Sequence, residues 1–208
     1  MNPLSGVDTR IQRLQLIDMY GEPVQIGVST YKRGQVSSAL WFAFSGAVSG
    51  KVPKSFARRL SKFSELGLSP TPGSGVDLEF ALQDVMELAI ALDLQDVGLN
   101  QLEIVRWLLR YREQLWSGLR GKRRPYLLIR SRTILEARSL FTTLSPADWA
   151  GATMGEPVIV DGEEQLRDEL RGKLGGRDRK RIVIELGDLV SAVIHGLQAA
   201  PRQRRGRK

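Results

Sequence analysis

The stretch PKSFARRLSKFSELGLSPTPGSG, residues 53–75, decides how the first half of the chain is interpreted. Its apolar residues recur at intervals of three and four, the spacing that places side chains on one face of an α-helix, namely Phe56, Leu60, Phe63 and Leu66. Pro53 suits a first helical position, and Gly67 suits the end of a helix. We therefore predict an amphipathic helix that begins at Pro53 and is followed by a turn rich in Gly and Pro.

The opposite face of this predicted helix is cationic, because its polar positions are Lys54, Ser55, Arg58, Arg59 and Lys62. A solvated helix face is the ordinary explanation of such a run, and contact with DNA is the alternative that we favour here. The side chain of Arg offers a bidentate fork that matches guanine edges, so Arg58 and Arg59 are the predicted base contacts. Lys54 and Lys62 better suit phosphate.

The sequence on either side predicts more helices and a wing. GQVSSALWFAFSG, residues 34–46, predicts a first helix, and alternating apolar residues Val76, Leu78 and Phe80 predict a short hairpin or wing. ALQDVMELAIALDL, residues 81–94, predicts a third helix. Asn100 is a suitable N-cap for a long fourth helix, QLEIVRWLLRYREQLWSGL, with Glu103 placed as its capping-box partner. A heptad-like seam along this helix comprises Leu102, Val105, Leu109, Arg112 and Trp116.

The first 33 residues predict a short helix around residues 11–19 and an extended segment, VQIGVSTY, residues 24–31. Four polar residues lie at the start of the predicted first helix, namely Lys32, Arg33, Ser37 and Ser38. Together with the N–H groups of the helix N-terminus, their side chains are suited either to bind phosphate or to cap the helix. Lys51 and Ser74 complete the predicted DNA-binding set.

The C-terminal part follows a different pattern. GKRRP, residues 121–125, is typical of a linker. Two strands, YLLIRS and PVIVDG, are then followed by a helix, EEQLRDELRGKL, a turn, GGRDRK, a third strand, RIVIEL, and a last helix, GDLVSAVIHGL. This order predicts a small α/β domain. The carboxylates of the first of these helices lie at ion-pair spacing from Arg side chains, and His195 is expected to be an ordinary residue of the last helix.

The composition excludes most metalloenzymes. The 208 residues contain no Cys and one His, so disulfides, thiolate metal sites and His-based metal clusters are not expected, and no cofactor is predicted. No nucleophile and base stand at a recognisable spacing, which argues against an enzyme.

No run of about 18 apolar residues, the length needed to cross a membrane, occurs in the sequence. We therefore expect a cytoplasmic, nucleoid-associated protein with no membrane partner.

The net charge of +8 is unevenly distributed. Residues 1–120 carry 13 Lys and Arg against 12 Asp and Glu, and residues 121–208 carry 18 against 11. The basic residues concentrate in three runs, which are residues 51–62, 120–124 and the tail PRQRRGRK. The tail is equally consistent with a disordered, solubilising end and with a nonspecific phosphate-binding arm.

Residues 34 to 118 resemble the winged helix-turn-helix domain of the MerR family of bacterial transcription regulators. The resemblance is carried by ELGLSP at 65–70, by Phe80 at the wing, by Asp84-Val85 with Leu88 and Ile90, by Val97-Gly98-Leu99 and by Leu102-Glu103-Ile104. Three features depart from the family, the first of which is a loop between the first two helices that is longer than the family's usual tight turn. Ser61-Lys62-Phe63 stands where the family has an Arg-Tyr-Tyr signature, and the wing sequence GSGVD, residues 73–77, is acidic rather than basic.

The expected fold is mainly α, with a MerR-like winged helix-turn-helix, a long helix and an α+β C-terminal part. The expected units are an N-terminal segment (1–33), a DNA-binding domain (34–120), a small α/β dimerisation or regulatory domain (121–198) and a basic disordered tail (199–208). The resemblance implies a homodimeric transcription regulator that binds double-stranded DNA, with RNA polymerase as a further partner. A DNA-binding packaging or replication component that forms higher oligomers is the alternative.

The long helix supplies the predicted dimer contacts. Exposed Trp on such a helix needs a partner surface, so Trp107, Leu108 and Trp116 are assigned to dimerisation. A ligand pocket and packing within the core of the chain are the alternatives for these three side chains.

Overall fold

The computed structural model describes residues 15–17, 23–25, 30–46, 51–69, 78–131, 142–143, 145, 154–172 and 181–200. Within these ranges the chain is mostly helical, with six α-helices and seven short strands in three antiparallel sheets. The prediction of a mainly helical chain with both helices and strands in its C-terminal part is confirmed at this level.

The first strands correct the prediction for the N-terminal segment. β1 (Gln15–Ile17) pairs antiparallel with β2 (Pro23–Gln25), with Leu16 opposite Val24. The helix expected around residues 11–19 is therefore wrong at its centre, because strand pairing uses the backbone groups that a helix would need. The β-branched side chain of Ile17 also favours a strand. The rest of that predicted helix lies outside the described residues.

The basic helix forms as predicted, one residue later. β3 (Tyr31–Lys32) leads into α1 (Arg33–Ser45), and α2 spans Lys54–Glu65 with Pro53 as its N-cap. The apolar face of α2 is buried at Phe56, Leu60 and Phe63 and half-buried at Leu66. Gly67 has φ of 91°, a left-handed conformation that glycine adopts without strain, so the chain leaves the helix there.

The predicted wing lies only partly within the described residues. β4 (Glu79–Phe80) pairs antiparallel with β3, and Phe80 is buried opposite Tyr31. Leu78 is half-buried, whereas Val76 and Ser74 lie outside the described ranges. The strand before α1 is thus joined to the strand that follows α2 in the sequence, which brings the start of α1 close to the end of the predicted wing.

Two long helices follow. α3 spans Leu82–Asp96 and α4 spans Gln101–Leu119, and the Asn100 side chain accepts a hydrogen bond of 2.9 Å from the backbone N–H of Leu102, as an N-cap does. The heptad-like seam is wrong at Leu102 and Leu109, which are 38% and 40% exposed. A helical period of 3.6 instead turns a different set inward, namely Ile104, Val105, Trp107, Leu108, Tyr111, Leu115, Trp116 and Leu119.

The C-terminal elements agree with the sequence prediction. They are β5 (Pro125–Ser131), β6 (Met154–Asp161), α5 (Gly162–Gly172), β7 (Arg181–Glu185) and α6 (Leu186–Ala199). The sheet order is β6-β5-β7, with both pairs antiparallel. The turn expected between α5 and β7 lies outside the described residues.

One hydrophobic core runs through both halves of the chain. It joins residues of α1 to α4 with Leu127, Ile129, Met154, Ile184 and the buried face of α6. α6 crosses α1 so closely that a Cβ atom added at Gly196 would lie 2.6 Å from the carbonyl oxygen of Ala39. The proposed domain boundary at residue 120 stays a prediction, and hydrophobic packing extends across it.

Candidate nucleic-acid interface

The outward side of α2 gathers half of the predicted DNA-binding residues on one surface. Lys54, Arg58 and Lys62 follow one another at intervals of four and are exposed, as is Ser55, and Lys51 is exposed just before the helix. We call Lys51, Lys54, Ser55, Arg58 and Lys62 the α2 face. Because Phe56, Leu60 and Phe63 anchor the other side in the core, this face is directed to solvent.

Arg33 adds a cation to this surface from another helix. Its Nη2 donates a hydrogen bond to the Ser61 Oγ, and that hydroxyl donates one of 2.9 Å to the carbonyl oxygen of Ala57. Ser61 lies one helical turn from Arg58 and next to Lys62 on α2. The contact therefore brings the guanidinium of Arg33 beside the α2 face.

Acidic partners divide these cations into two groups. Lys32 pairs with Glu79 at 2.7 Å, Lys62 pairs with Glu65 at 3.1 Å, and Arg59 pairs with Asp96. Within the described part of the chain, no carboxylate pairs with Lys51, Lys54 or Arg58. Unneutralised charge on the α2 face therefore concentrates at these three positions.

Arg59 differs from its neighbour Arg58. Its Nε donates a hydrogen bond of 2.9 Å to the Gln95 side chain and its Nη2 donates one to Asp96, so its guanidinium joins α2 to the end of α3. Arg58 is exposed and has no such partner among the described residues. A guanine contact stays a prediction for both, and only Arg58 is presented to a ligand without breaking a bond within the chain.

Glu79 fixes Lys32 at the edge of this region. Hydrogen bonds from Lys32 and Thr30 and the charge of Lys32 lower the pKa of the Glu79 carboxyl. The carboxylate therefore stays ionised in neutral solution and offsets the lysine charge. Lys32 thus adds less to the positive potential of this surface than its charge suggests.

The front of α1 is capped by a side chain that the sequence analysis did not single out. The backbone N–H of Lys32 donates a hydrogen bond of 3.1 Å to the Gln35 side chain. Ser37 is half-buried on α1, and Ser74 lies outside the described residues. A phosphate contact by either serine stays a prediction.

The structure contradicts the dimer contacts assigned to α4. Trp107, Leu108 and Trp116 are only 0%, 1% and 7% exposed within a single chain. The indole N–H of Trp107 donates a hydrogen bond of 2.7 Å to the Gly155 carbonyl oxygen, which lies on β6. These side chains are therefore not accessible to a second chain, and core packing, the alternative considered for them, accounts for their apolar character.

A buried polar cluster connects the end of α2 to α3 and α4. Glu87 is 3% exposed, and its carboxylate accepts hydrogen bonds of 2.8 and 2.6 Å from Arg112 and one of 3.0 Å from the Trp116 indole. The same Arg112 donates to the Leu68 carbonyl oxygen at 3.2 Å, just beyond α2. We call Glu87, Arg112, Trp116 and the Leu68 carbonyl the Glu87 cluster.

The electrostatics of the Glu87 cluster favour the charged form of Arg112. The hydrogen bond and charge of Glu87 raise the pKa of Arg112 above its ordinary value, against the opposing effect of burial. The sequence held one signal of this cluster, a lone charged residue inside the apolar run VMELAIAL, residues 85–92. Because a buried carboxylate needs a cation and hydrogen-bond donors, that position implied a partner on a neighbouring helix.

No site for metal chemistry appears in the part of the chain that the structure describes, where no three His, Cys, Asp or Glu side chains are grouped to hold an ion. Among those same residues, none of the helices combines the length and the apolar character needed to cross a membrane.

Comparisons with family models, curated proteins and solved structures give no match to this chain. The MerR-like resemblance therefore stays a prediction from the sequence.

Proposed function

We propose that the protein binds double-stranded DNA through the α2 face and acts as a sequence-specific transcription regulator. The observation that carries this proposal is the set of unneutralised cations formed by Lys54 and Arg58, on the solvent side of a helix whose other side is buried, and Lys51 just before that helix. Such a helix has the width that the major groove of B-DNA admits.

Each cation of the surface has a distinct expected contact. Lys51 and Lys54 are suited to phosphate, because an ammonium group on a flexible stem binds as a point charge. Arg58 is suited to a guanine edge, where its fork donates to O6 and N7. Arg33, held by Ser61, is suited to the phosphate backbone beside the groove.

The proposal includes a homodimer, because one helix of this kind covers only a half-site and operator symmetry usually mirrors protein symmetry. Trp107, Leu108 and Trp116 lie in the core, so the surface that joins two copies must lie elsewhere on the chain. Light scattering of the full chain measures its mass directly. A dimer supports this part of the proposal, and a monomer at working concentration contradicts it.

The salt dependence of duplex binding tests the proposed function. A protein that displaces counterions from several phosphates loses affinity steeply as salt rises, with a slope of about 0.9 per phosphate in a double-logarithmic plot. Lys54→Ala should weaken specific and nonspecific duplexes alike and lower that slope by about one unit. The matched control is Arg167→Ala, because Arg167 is an exposed cation on α5 that pairs with Glu163.

Two results would contradict DNA binding by α2. One is an affinity that does not change between low and moderate salt. The other is a Lys54→Ala protein that is folded by circular dichroism and retains the full slope of the unmodified chain.

A further inference from the structure

We propose that residues 120–124, the turn between α4 and β5, form a second phosphate-binding surface for the duplex that α2 binds. This inference rests on the proposed DNA binding. We call these five residues the basic turn, because Arg120, Lys122, Arg123 and Arg124 surround a single glycine. The proposal extends the contact with DNA to a surface outside residues 30–69 and the predicted wing.

The backbone of the basic turn, which covers most of the predicted linker, is held in place by hydrogen bonds. Gly121 adopts φ of 73°, and the N–H of Lys122 donates to the Leu119 carbonyl oxygen at 3.3 Å. The Asp161 Oδ1 accepts hydrogen bonds from the backbone N–H groups of Arg123 and Arg124, at 3.0 and 2.7 Å. The chain between α4 and β5 is therefore a fixed turn from which basic side chains project.

Three of the four basic side chains of this turn form no ion pair with a carboxylate among the described residues. Arg123 and Arg124 are exposed and Lys122 is half-exposed, and in the described ranges no carboxylate pairs with any of the three. Asp161 accepts from the backbone instead. Two further carboxylates close to Tyr126 have other partners: Glu185 accepts from the Tyr126 hydroxyl at 3.1 Å and Glu163 pairs with Arg167 at 3.3 Å.

A duplex is the polyanion that fits this placement. The guanidinium of Arg112 contacts the Leu68 carbonyl oxygen, three residues beyond the end of α2, and α4 ends at Leu119, seven residues after Arg112. At a rise of about 1.5 Å per residue this is about 10 Å along the axis of α4. Successive phosphates of a strand advance by about 3.4 Å along the helix axis. A single duplex of about 20 base pairs is therefore long enough to contact both surfaces.

The chemistry of the turn favours phosphate over base edges. Two adjacent arginines at a fixed turn present planar forks that bind phosphate oxygens bidentately. The Arg side chains project from a turn rather than from a helix or a two-stranded ribbon, the elements that the major groove admits. The contribution of the basic turn to DNA affinity is therefore expected to be independent of base sequence.

The test compares two double variants of the full chain on two duplexes. Arg123→Gln with Arg124→Gln removes two charges and keeps the backbone N–H groups that Asp161 binds. The matched control is Arg167→Gln with Arg171→Gln, which removes two exposed cations from α5. Each protein is titrated at several salt concentrations with a duplex of about 30 base pairs and with the shortest duplex that still requires Lys54 for binding.

On the long duplex, the turn variant should lose affinity equally for specific and scrambled sequences, and its salt slope should fall by about two units. On the shortest duplex the loss should be smaller, because fewer phosphates lie within reach. Lys122→Gln, a milder change, should lower the slope by about one unit on the long duplex. The α5 control should match the unmodified chain.

Different experimental outcomes would overturn the proposed DNA binding by α2 and the proposed phosphate binding by the basic turn. An unmodified chain that binds no duplex overturns the proposed function and this inference with it. The proposal for the basic turn alone is overturned if the unmodified chain binds duplex DNA and the variants of the turn keep its full salt slope. These variants are the double variant and Lys122→Gln, both checked to be folded.

Discussion

Arg112 and Arg58 carry the same side chain in opposite surroundings. Arg112 donates to a carboxylate that is 3% exposed and to the carbonyl oxygen that follows α2, and it is part of the structure. Arg58 is exposed on α2 and has no partner in the described part of the chain. The difference shows that a count of basic residues does not identify a binding surface, because the partners of each residue decide what its charge does.

The Glu87 cluster, which contains Arg112, and the α2 face, which contains Arg58, are physically connected. The Glu87 cluster holds the segment just after α2, Arg59 holds the middle of α2 against α3, and Phe63 is fully buried beneath it. These contacts fix the orientation of the helix without using its outward side. We therefore expect substitutions in the interior to change stability and substitutions on the α2 face to change DNA binding.

The largest expected effect compares the two sides of α2. Phe63→Ala should lower the free energy of unfolding by about 3 to 5 kcal/mol, because it removes a fully buried aromatic ring and leaves a cavity. Lys54→Ala should change it by no more than about 0.5 kcal/mol. Urea denaturation followed by circular dichroism measures both, and similar losses would contradict the assignment of the two sides.

The next effect compares a buried ion pair with an exposed one. Arg112→Ala leaves the Glu87 carboxylate buried without its cation and should cost about 3 kcal/mol. Arg167→Ala removes an exposed pair with Glu163 and should cost less than about 1 kcal/mol. The same denaturation experiment measures both. If Arg112→Ala costs no more than Arg167→Ala, the Glu87 cluster does not hold α2 in place.

A third effect concerns the packing beneath α1, which carries Arg33. Gly196→Ala should cost about 1 to 3 kcal/mol, because its Cβ would meet the backbone of Ala39 at 2.6 Å and the two helices would have to separate. Gly187→Ala on the same helix is the control, since its nearest neighbour would be 3.9 Å away. Thermal unfolding of both variants measures the difference, and equal melting temperatures would contradict the close crossing of α1 and α6.

The smallest effect concerns two carboxyls with opposite shifts. Burial, with repulsion from Asp96, raises the pKa of Asp93 above its ordinary value of 3.8, whereas Lys32 lowers that of Glu79. A raised pKa means that the ionised form of Asp93 costs stability above its folded pKa and that this cost disappears as the pH falls below 3.8. Asp93→Asn should therefore stabilise the fold at neutral pH and lose that advantage in acid.

Denaturation of Asp93→Asn and of the unmodified chain across pH 3 to 7, a range that includes the ordinary Asp pKa of 3.8, measures this difference. The matched control is Glu79→Gln, for which the sign is reversed. Because the pKa of Glu79 is lowered, its ionised form stabilises the fold when the pH is above the ordinary pKa of a Glu side chain. This stabilisation is lost as the pH falls through the folded pKa, so Glu79→Gln should reduce stability at neutral pH. An advantage of Asp93→Asn that persists in acid would contradict the account.

Local patterns in the sequence were enough to predict most helices and strands. The apolar spacing of α2, the Asn100 cap and the β-branched residues of β6 and β7 depend on neighbours within a few residues. The predictions that failed depend on contacts with other secondary-structure elements. β1 pairs with a strand several residues away, and α4 turns a different set of side chains inward because sheet residues such as Gly155 pack against it.

The candidate site was predicted in part for the same reason. The α2 face follows from the helical period, so Lys54, Arg58 and Lys62 could be placed together from the sequence. The bonds from Arg59 to Gln95 and Asp96 span 36 and 37 residues, and the bonds from Arg112 to Glu87 span 25. No local pattern specifies which of several arginines meets a distant carboxylate, so the free and the engaged cations could not be separated.

The most direct test of DNA contact by the α2 face is the ratio of affinities for a selected duplex and a scrambled one. Arg58→Ala should reduce that ratio by about 5- to 150-fold, the equivalent of about 1 to 3 kcal/mol, and should relax the preference at one base pair. Arg167→Ala should leave it unchanged. An Arg58→Ala protein that is folded by circular dichroism and keeps the full ratio would contradict base contact by α2.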